Sequence, residues 1–212
     1  MSDSVSTPRE NPFATRAVRP GAISFLFETG VDARVLIDRF LASGRRGQIV
    51  GPHGSGKSTL LAALADELRA RGIAVKLVEL HDGCRVMPDG TFVQQGEVLL
   101  VDGYEQLGVV ARSKLAFDVA RRQSGLLVTS HRSVRWPVAM PVLYSTRSSP
   151  ELAERLAGAL LATSAHPEAV SSAEVRALYE AEQGNLREVF FRLYDLYESR
   201  SRQRGGCPGS TS

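Results

Sequence analysis

The stretch GPHGSGKST, residues 51–59, gathers residue types that can hold phosphate. Gly51, Gly56, Lys57 and Ser58 fit the spacing G-x-x-x-x-G-K-[ST] in full. Gly51, Pro52, His53, Gly54, Ser55 and Gly56 would line a cradle of inward-turned backbone N–H groups, with Thr59 just inside the following helix. The positive end of that helix adds to the field. Lys57 would place a point charge on the β- and γ-phosphates, and the Ser58 hydroxyl can ligate Mg²⁺. A chance glycine-rich turn is the alternative, and the apolar patterns on either side speak against it.

A bound Mg²⁺ also needs an acid, at the carboxyl end of a buried strand beside the phosphate-loop strand. Asp102 closes such a strand in EVLLVDG (97–103). Buried without a cation or hydrogen bonds, a carboxylate there is costly. Hydrolysis further needs a group that positions or deprotonates water. The residue after Asp102 is Gly103, so the first nearby carboxylate in DGYEQL is Glu105. Glu105 reads either as that acid or as a helix N-terminal Glu favoured by the dipole. In GLLVTSHR (125–132), Thr129 and Ser130 end another strand. A hydroxyl there could sense a γ-phosphate or hold the attacking water, or simply cap a turn. His131 and Arg132 read as structural or solvated.

The elements that must position these groups are legible along the chain. Helical periodicity marks 31–44, the stretch behind the loop to Gly72, and 113–123. Strand patterns mark 47–50, 73–80, 97–103, 125–132 and 141–147. Two Asp-Gly pairs within 81–96 suggest turns and a small hairpin. Alternating strands and helices predict an α/β fold: a parallel sheet with helices on both faces. From Ser149 the pattern becomes helical, over 149–164, 171–184 and 185–200. The expected organisation is an unstructured tail over 1–15, an α/β core over 16–148, a helical subdomain over 149–200 and a second tail over 201–212.

Composition is that of a soluble globular protein, with 43% apolar and 23% charged residues. No apolar run approaches the roughly 18–20 residues of a membrane span. The first residues lack the apolar core of a secretory signal. A cytoplasmic location without membrane contact is the expectation. Two cysteines and four scattered histidines form no disulfide framework and no metal-ligand spacing. Only three of the 26 basic residues are Lys (Lys57, Lys76, Lys114), and net charge is +3. That Arg excess reads either as genomic base composition or as a basic face for nucleic acid.

Together these pieces resemble P-loop NTPases with an added strand between the P-loop and metal strands, and within them the AAA+ and signal-transduction ATPases. DGYEQL is similar to the metal strand of NACHT-type ATPases, and VTSHR to their Thr-Ser-Arg strand end, with His131 inserted. GNLRE (184–188) resembles the lid-helix start of origin-recognition-like AAA+ proteins. The resemblance implies a three-layer sandwich with a C-terminal helical lid, ATP with Mg²⁺ as ligands, and Arg187 as a γ-phosphate contact. The residue-level alternative for Arg187 is a helix arginine facing water. The stripe Phe190, Phe191, Tyr194, Tyr197 reads as helix packing before base stacking.

The functional expectation is an ATPase or ATP-dependent switch, with Lys57, Glu105, Thr129 and Arg187 as catalytic groups. Its partner would be a protein or DNA. An oligomer fits the resemblance, with Arg132, Arg135 and Arg147 open as the arginine offered to a neighbour. Two alternatives stand beside it. One is a small-molecule kinase using His81-Asp82-Gly83; the other is a nonenzymatic ATP-binding adaptor for DNA or protein.

Overall fold

The computed structural model describes residues 11–19, 21–22, 24–28, 30–91, 93–135 and 137–205. In chain order the elements are α1 (Thr15–Val18), α2 (Ala33–Ala42), β1 (Arg46–Val50), α3 (Lys57–Ala70), β2 (Val75–Glu79), β3 (Val98–Asp102), α4 (Val109–Arg121), β4 (Gly125–Ser130), β5 (Val142–Ser145), α5 (Pro150–Ala162), α6 (Ser172–Ala181) and α7 (Leu186–Gly205). The chain divides into an α/β unit, residues 23–147, and a helical unit built from residues 1–22 and 148–212.

The α/β unit is an all-parallel five-stranded sheet in the order β2-β3-β4-β1-β5. Side chains alternate across a strand, and here both faces are apolar. Val98 and Leu100 of β3, Leu127 of β4 and Ile49 of β1 pack with Leu36, Ile37 and Phe40 of α2 and the Leu60, Leu61, Leu64 and Leu68 stripe of α3. Leu99, Val101, Leu126 and Val128 face the other way, onto Tyr104, Leu107 and Leu115 and Val119 of α4. This is the expected three-layer arrangement. Gln48 of β1 is fully buried, and its amide is consumed by the 133–140 loop: it donates to Val134 O and Met140 O and accepts from Val134 N.

The strand carrying Asp102 does not lie directly beside β1. β4 stands between them, which is the inserted strand implied by the family resemblance. The hairpin expected within 81–96 is absent among the described residues. That segment closes one-turn bonds instead, Cys84 N to His81 O, Thr91 N to Pro88 O and Glu97 N to Gln94 O. Its carbonyls also accept from outside the segment, at Arg85 from Gly108 N and at Gln94 from Ser124 Oγ. No helix among the described residues is long and apolar enough to cross a membrane.

The helical unit takes in more of the N-terminus than the sequence pattern suggests. Residues 1–10 lie outside the described residues, but Phe13 is buried, its ring 6.2 Å from those of Phe190 and Tyr197 on α7. Asn11 Nδ2 donates to Tyr194 O and Glu198 Oε1. The aromatic stripe of α7 therefore splits: Phe190 and Tyr197 pack inward, while Phe191 and Tyr194 stay exposed. At the other end, α7 continues to Gly205, beyond the boundary at 200; residues 206–212 are outside the description.

Within this unit Ser171 and Glu174 form a capping box on α6, and Arg200 of α7 clasps the same carboxylate. The guanidinium first, then the Ser171 backbone and hydroxyl, hold the Glu174 carboxyl down at about 2. A depressed carboxyl adds stability that is present above its unfolded value and lost as pH falls through the folded one. Wild-type protein should therefore lose more thermal stability between pH 5 and pH 2 than Arg200→Leu does, and equal losses in a melting series would remove this pair as a tether.

Candidate functional site

Because every strand is parallel, the carboxyl ends of β1, β3, β4 and β5 share one edge, where open α/β sheets bind ligands. The phosphate loop leaves β1 there. Gly54 and Gly56 have φ of 65° and 89°, the left-handed region that side chains avoid. A Cβ on Gly51 would drive into the Thr146 side chain and carbonyl at the end of β5. Ser55 Oγ lies 2.6 Å from Thr146 Oγ1 and donates to Pro52 O. Lys57 is 8% exposed, and its ammonium donates to Gly51 O at 2.8 Å and Pro52 O at 2.6 Å. An ammonium has three protons to give, so one is left for a phosphate oxygen. Burial pushes the Lys57 amine down, and the charges of Glu105 and then Asp102 oppose it.

Asp102 is oriented from β4. Buried Thr129 donates from Oγ1 to Asp102 Oδ1 at 2.5 Å and accepts from Gly103 N at 2.9 Å. One hydroxyl thus ties the metal-strand acid and the turn after it to the neighbouring strand. Gly103 sits at φ 81°, and a Cβ there would come within 2.7 Å of Leu80 O. The chain then makes a short 3₁₀ turn over Tyr104–Gln106. Tyr104 is buried under the Arg112 guanidinium, which donates to Glu105 O and Leu107 O and so pins the turn from α4.

That turn presents the Glu105 side chain to His131, the residue just past β4. Glu105 Oε1 lies 2.6 Å from His131 Nε2. The His131 ring in turn lies 3.6 Å, centroid to centroid, from that of His53 on the phosphate loop. Burial pushes the His131 imidazole below its ordinary value; Lys57 and His53 push the same way, while Glu105 and Asp82 push back. A cavity of about 520 Å³ lined by Leu41, Arg45, Ile73 and Gln94 lies at the amino edge of the sheet, away from these groups.

No protein-family model matches the chain, and no curated protein matches it in sequence. Solved structures do match in shape. The RuvB protein of Thermotoga maritima aligns with a TM-score of 0.55 at 16% identity, over 81% of this chain and 66% of that one. NtrX from Brucella abortus, in complex with ATP, aligns at 0.56 and 16%, over 88% of this chain and 52% of its own. DnaA from Aquifex aeolicus, bound to AMPPCP, aligns at 0.52 and 17%, over 85% and 68%. The chain has a P-loop AAA+ ATPase-like fold. It spans about half to two thirds of the length of these structures.

In P-loop terms, the structure gathers Lys57, Asp102, Glu105 and Thr129 at one sheet edge around the loop 51–56. Ser58 and Thr59 open α3 directly behind it. Arg187 belongs to the helical unit; it is exposed in the first turn of α7, where its N–H donates to Asn185 Oδ1. His131, taken from sequence as structural or solvated, is a direct partner of Glu105, and His53 contributes its ring as well as its backbone. The only sequence sign of either was a histidine beside a motif residue. Gly103 also has a structural reason to stand directly after Asp102: a Cβ there would meet Leu80 O, and the first nearby carboxylate is Glu105. Gly103→Ala should cost about 2–4 kcal/mol, from left-handed strain and the contact with Leu80 O. Chemical denaturation measures this; wild-type stability in the variant would mean the turn can be rebuilt.

Proposed function

We propose that this chain binds ATP with Mg²⁺ and hydrolyses it, using the turnover or the bound state to switch its action on a partner. The observation that carries the proposal is the built phosphate loop, with buried Lys57 bonded to Gly51 O and Pro52 O and the Thr129-held Asp102 at the same sheet edge. Phosphates would rest on the loop N–H groups and the α3 terminus, with the remaining Lys57 proton on a β- or γ-oxygen. The Ser58 hydroxyl and the Asp102 carboxylate form an all-oxygen donor pair suited to a hard cation such as Mg²⁺. When bound, Mg²⁺ neutralises charge on the phosphate oxygens. Thr129 keeps the Asp102 carboxylate turned for that task.

Glu105 would act on the attacking water. A water oxygen forms the new bond to the γ-phosphorus as the bond to the bridging β–γ oxygen breaks, and Glu105 accepts the water proton. ADP leaves with phosphate, and the proton returns to solvent. Arg187 would supply a further positive charge at the γ-phosphate, by resemblance to lid arginines.

DNA or a protein remains the proposed target. The Arg excess supports DNA, as does a DnaA neighbour solved with AMPPCP and single-stranded DNA, at a TM-score of 0.53 and 16% identity. Asp82 supports a second reading, a small-molecule kinase, because Gln106 Nε2, next to Glu105 in the chain, donates to its carboxylate at 2.8 Å. ATP consumption that starts only with an added acceptor would favour the kinase. Otherwise Glu105→Gln should keep nucleotide affinity within about threefold and lower turnover by roughly 10²–10⁴, the usual span for a general base. Turnover assays with and without DNA, beside a fluorescent-nucleotide titration, read both. Binding without turnover in wild type leaves the adaptor reading in place of the ATPase.

A further inference from the structure

The two carboxylate oxygens of Glu105 have unlike surroundings. Oε1 lies 2.6 Å from His131 Nε2, whereas Oε2 is buried with no hydrogen-bond partner in the protein. A buried acceptor left unpaired is costly, and such an atom in a native site calls for a ligand, a water or a catalytic role. Here it belongs to the one carboxylate within reach of Lys57 that Thr129 does not already engage.

A carboxylate only accepts hydrogen bonds, so a hydrogen bond across this contact requires the proton on His131 Nε2. Burial holds the imidazole below its ordinary value, which favours the neutral ring. The groups acting on it come from three directions: Lys57 and His53 from the phosphate loop, Glu105 from the turn after β3, and Asp82 from the segment after β2. A neutral imidazole can steer a carboxylate without discharging it. An imidazolium would pair with it as an ion and weaken it as a proton acceptor.

We propose that His131 is a positioning residue for Glu105: its ring, 2.6 Å from Oε1, fixes the rotation at which the carboxylate meets the attacking water. His53 supports the His131 ring from the phosphate loop. The loop is thereby joined to the acid through Lys57 on Pro52 O, the neighbouring His53, and the His53–His131 ring contact. The inference rests on the hydrolytic reading above. It differs from Thr129's part, which concerns Asp102.

The test uses the full chain with Mg-ATP. His131→Ala should lower kcat about tenfold or more, with KM and nucleotide affinity within twofold of wild type. His131→Gln, whose amide can reach Oε1, should restore most of the loss. Wild-type kcat should fall on the acid side as His131 protonates, and that limb should be displaced in His131→Gln. Independently of turnover, NMR titration of the His131 ring should shift downward in Glu105→Gln, because the opposing carboxylate charge is gone. Unchanged kcat in His131→Ala, a rise in kcat (a brake, not a guide), or a His131 titration indifferent to Glu105→Gln would each overturn the inference. So would equal losses in both His131 variants with reduced melting temperature, which mark a structural role only. A wild-type chain that binds Mg-ATP without turning it over sinks the hydrolytic reading itself and the positioning role with it; the NMR result then shows whether the contact alone was real.

Discussion

The Thr129 hydroxyl is the constraint on which the site depends. It is buried, has one proton to give and takes one in return, and both bonds run from β4 to the end of β3. Inside a low-dielectric edge such bonds are stronger than in water, and losing either leaves a buried group unpaired. The donated proton fixes which way Asp102 faces. The accepted one fixes the peptide of Gly103, and with it the direction in which the chain leaves the sheet.

That direction decides where the next acid can be. With Gly103 in a left-handed conformation against Leu80 O, no side chain is available directly after Asp102. A single 3₁₀ turn, pinned by Arg112 and by burial of Tyr104, brings Glu105 back toward the loop instead. The arrangement costs little elsewhere because Tyr104 and Leu107 belong to the hydrophobic cluster on the α4 face, so the turn is anchored by the same packing that holds the helix. Chemistry and core are thus coupled through one short segment.

Much of this was legible in the sequence, and the limits have physical causes. The loop could be read because phosphate binding demands glycines and one lysine at fixed spacing, and the strands because buried parallel strands are continuous apolar runs. Asp102 and Glu105 followed from their distance to such a run. The hairpin within 81–96 failed because Asp-Gly marks a turn and says nothing of whether flanking residues pair. Phe13 was missed because a lone aromatic in a polar segment has no periodicity; only its partners on α7 show that it is core. His131 was missed because its partner is set by strand register between β3 and β4, a long-range fact that local spacing does not carry.

The electrostatics then give the site its character. Three titratable side chains of different sign preference, Lys57, Glu105 and His131, are partly withdrawn from water within reach of one another. Burial disfavours charge on both bases, and the nearby carboxylates oppose this only in part, so Lys57 and His131 both stay below their ordinary values. A site built this way already holds its positive charge on the loop and its negative charge on the sheet edge before any ligand arrives. In the proposed reading, polyphosphate and a hard cation would complement that separation, the anion at the loop and the cation at the edge. The imidazole beside Glu105 adds direction without adding charge while it is neutral.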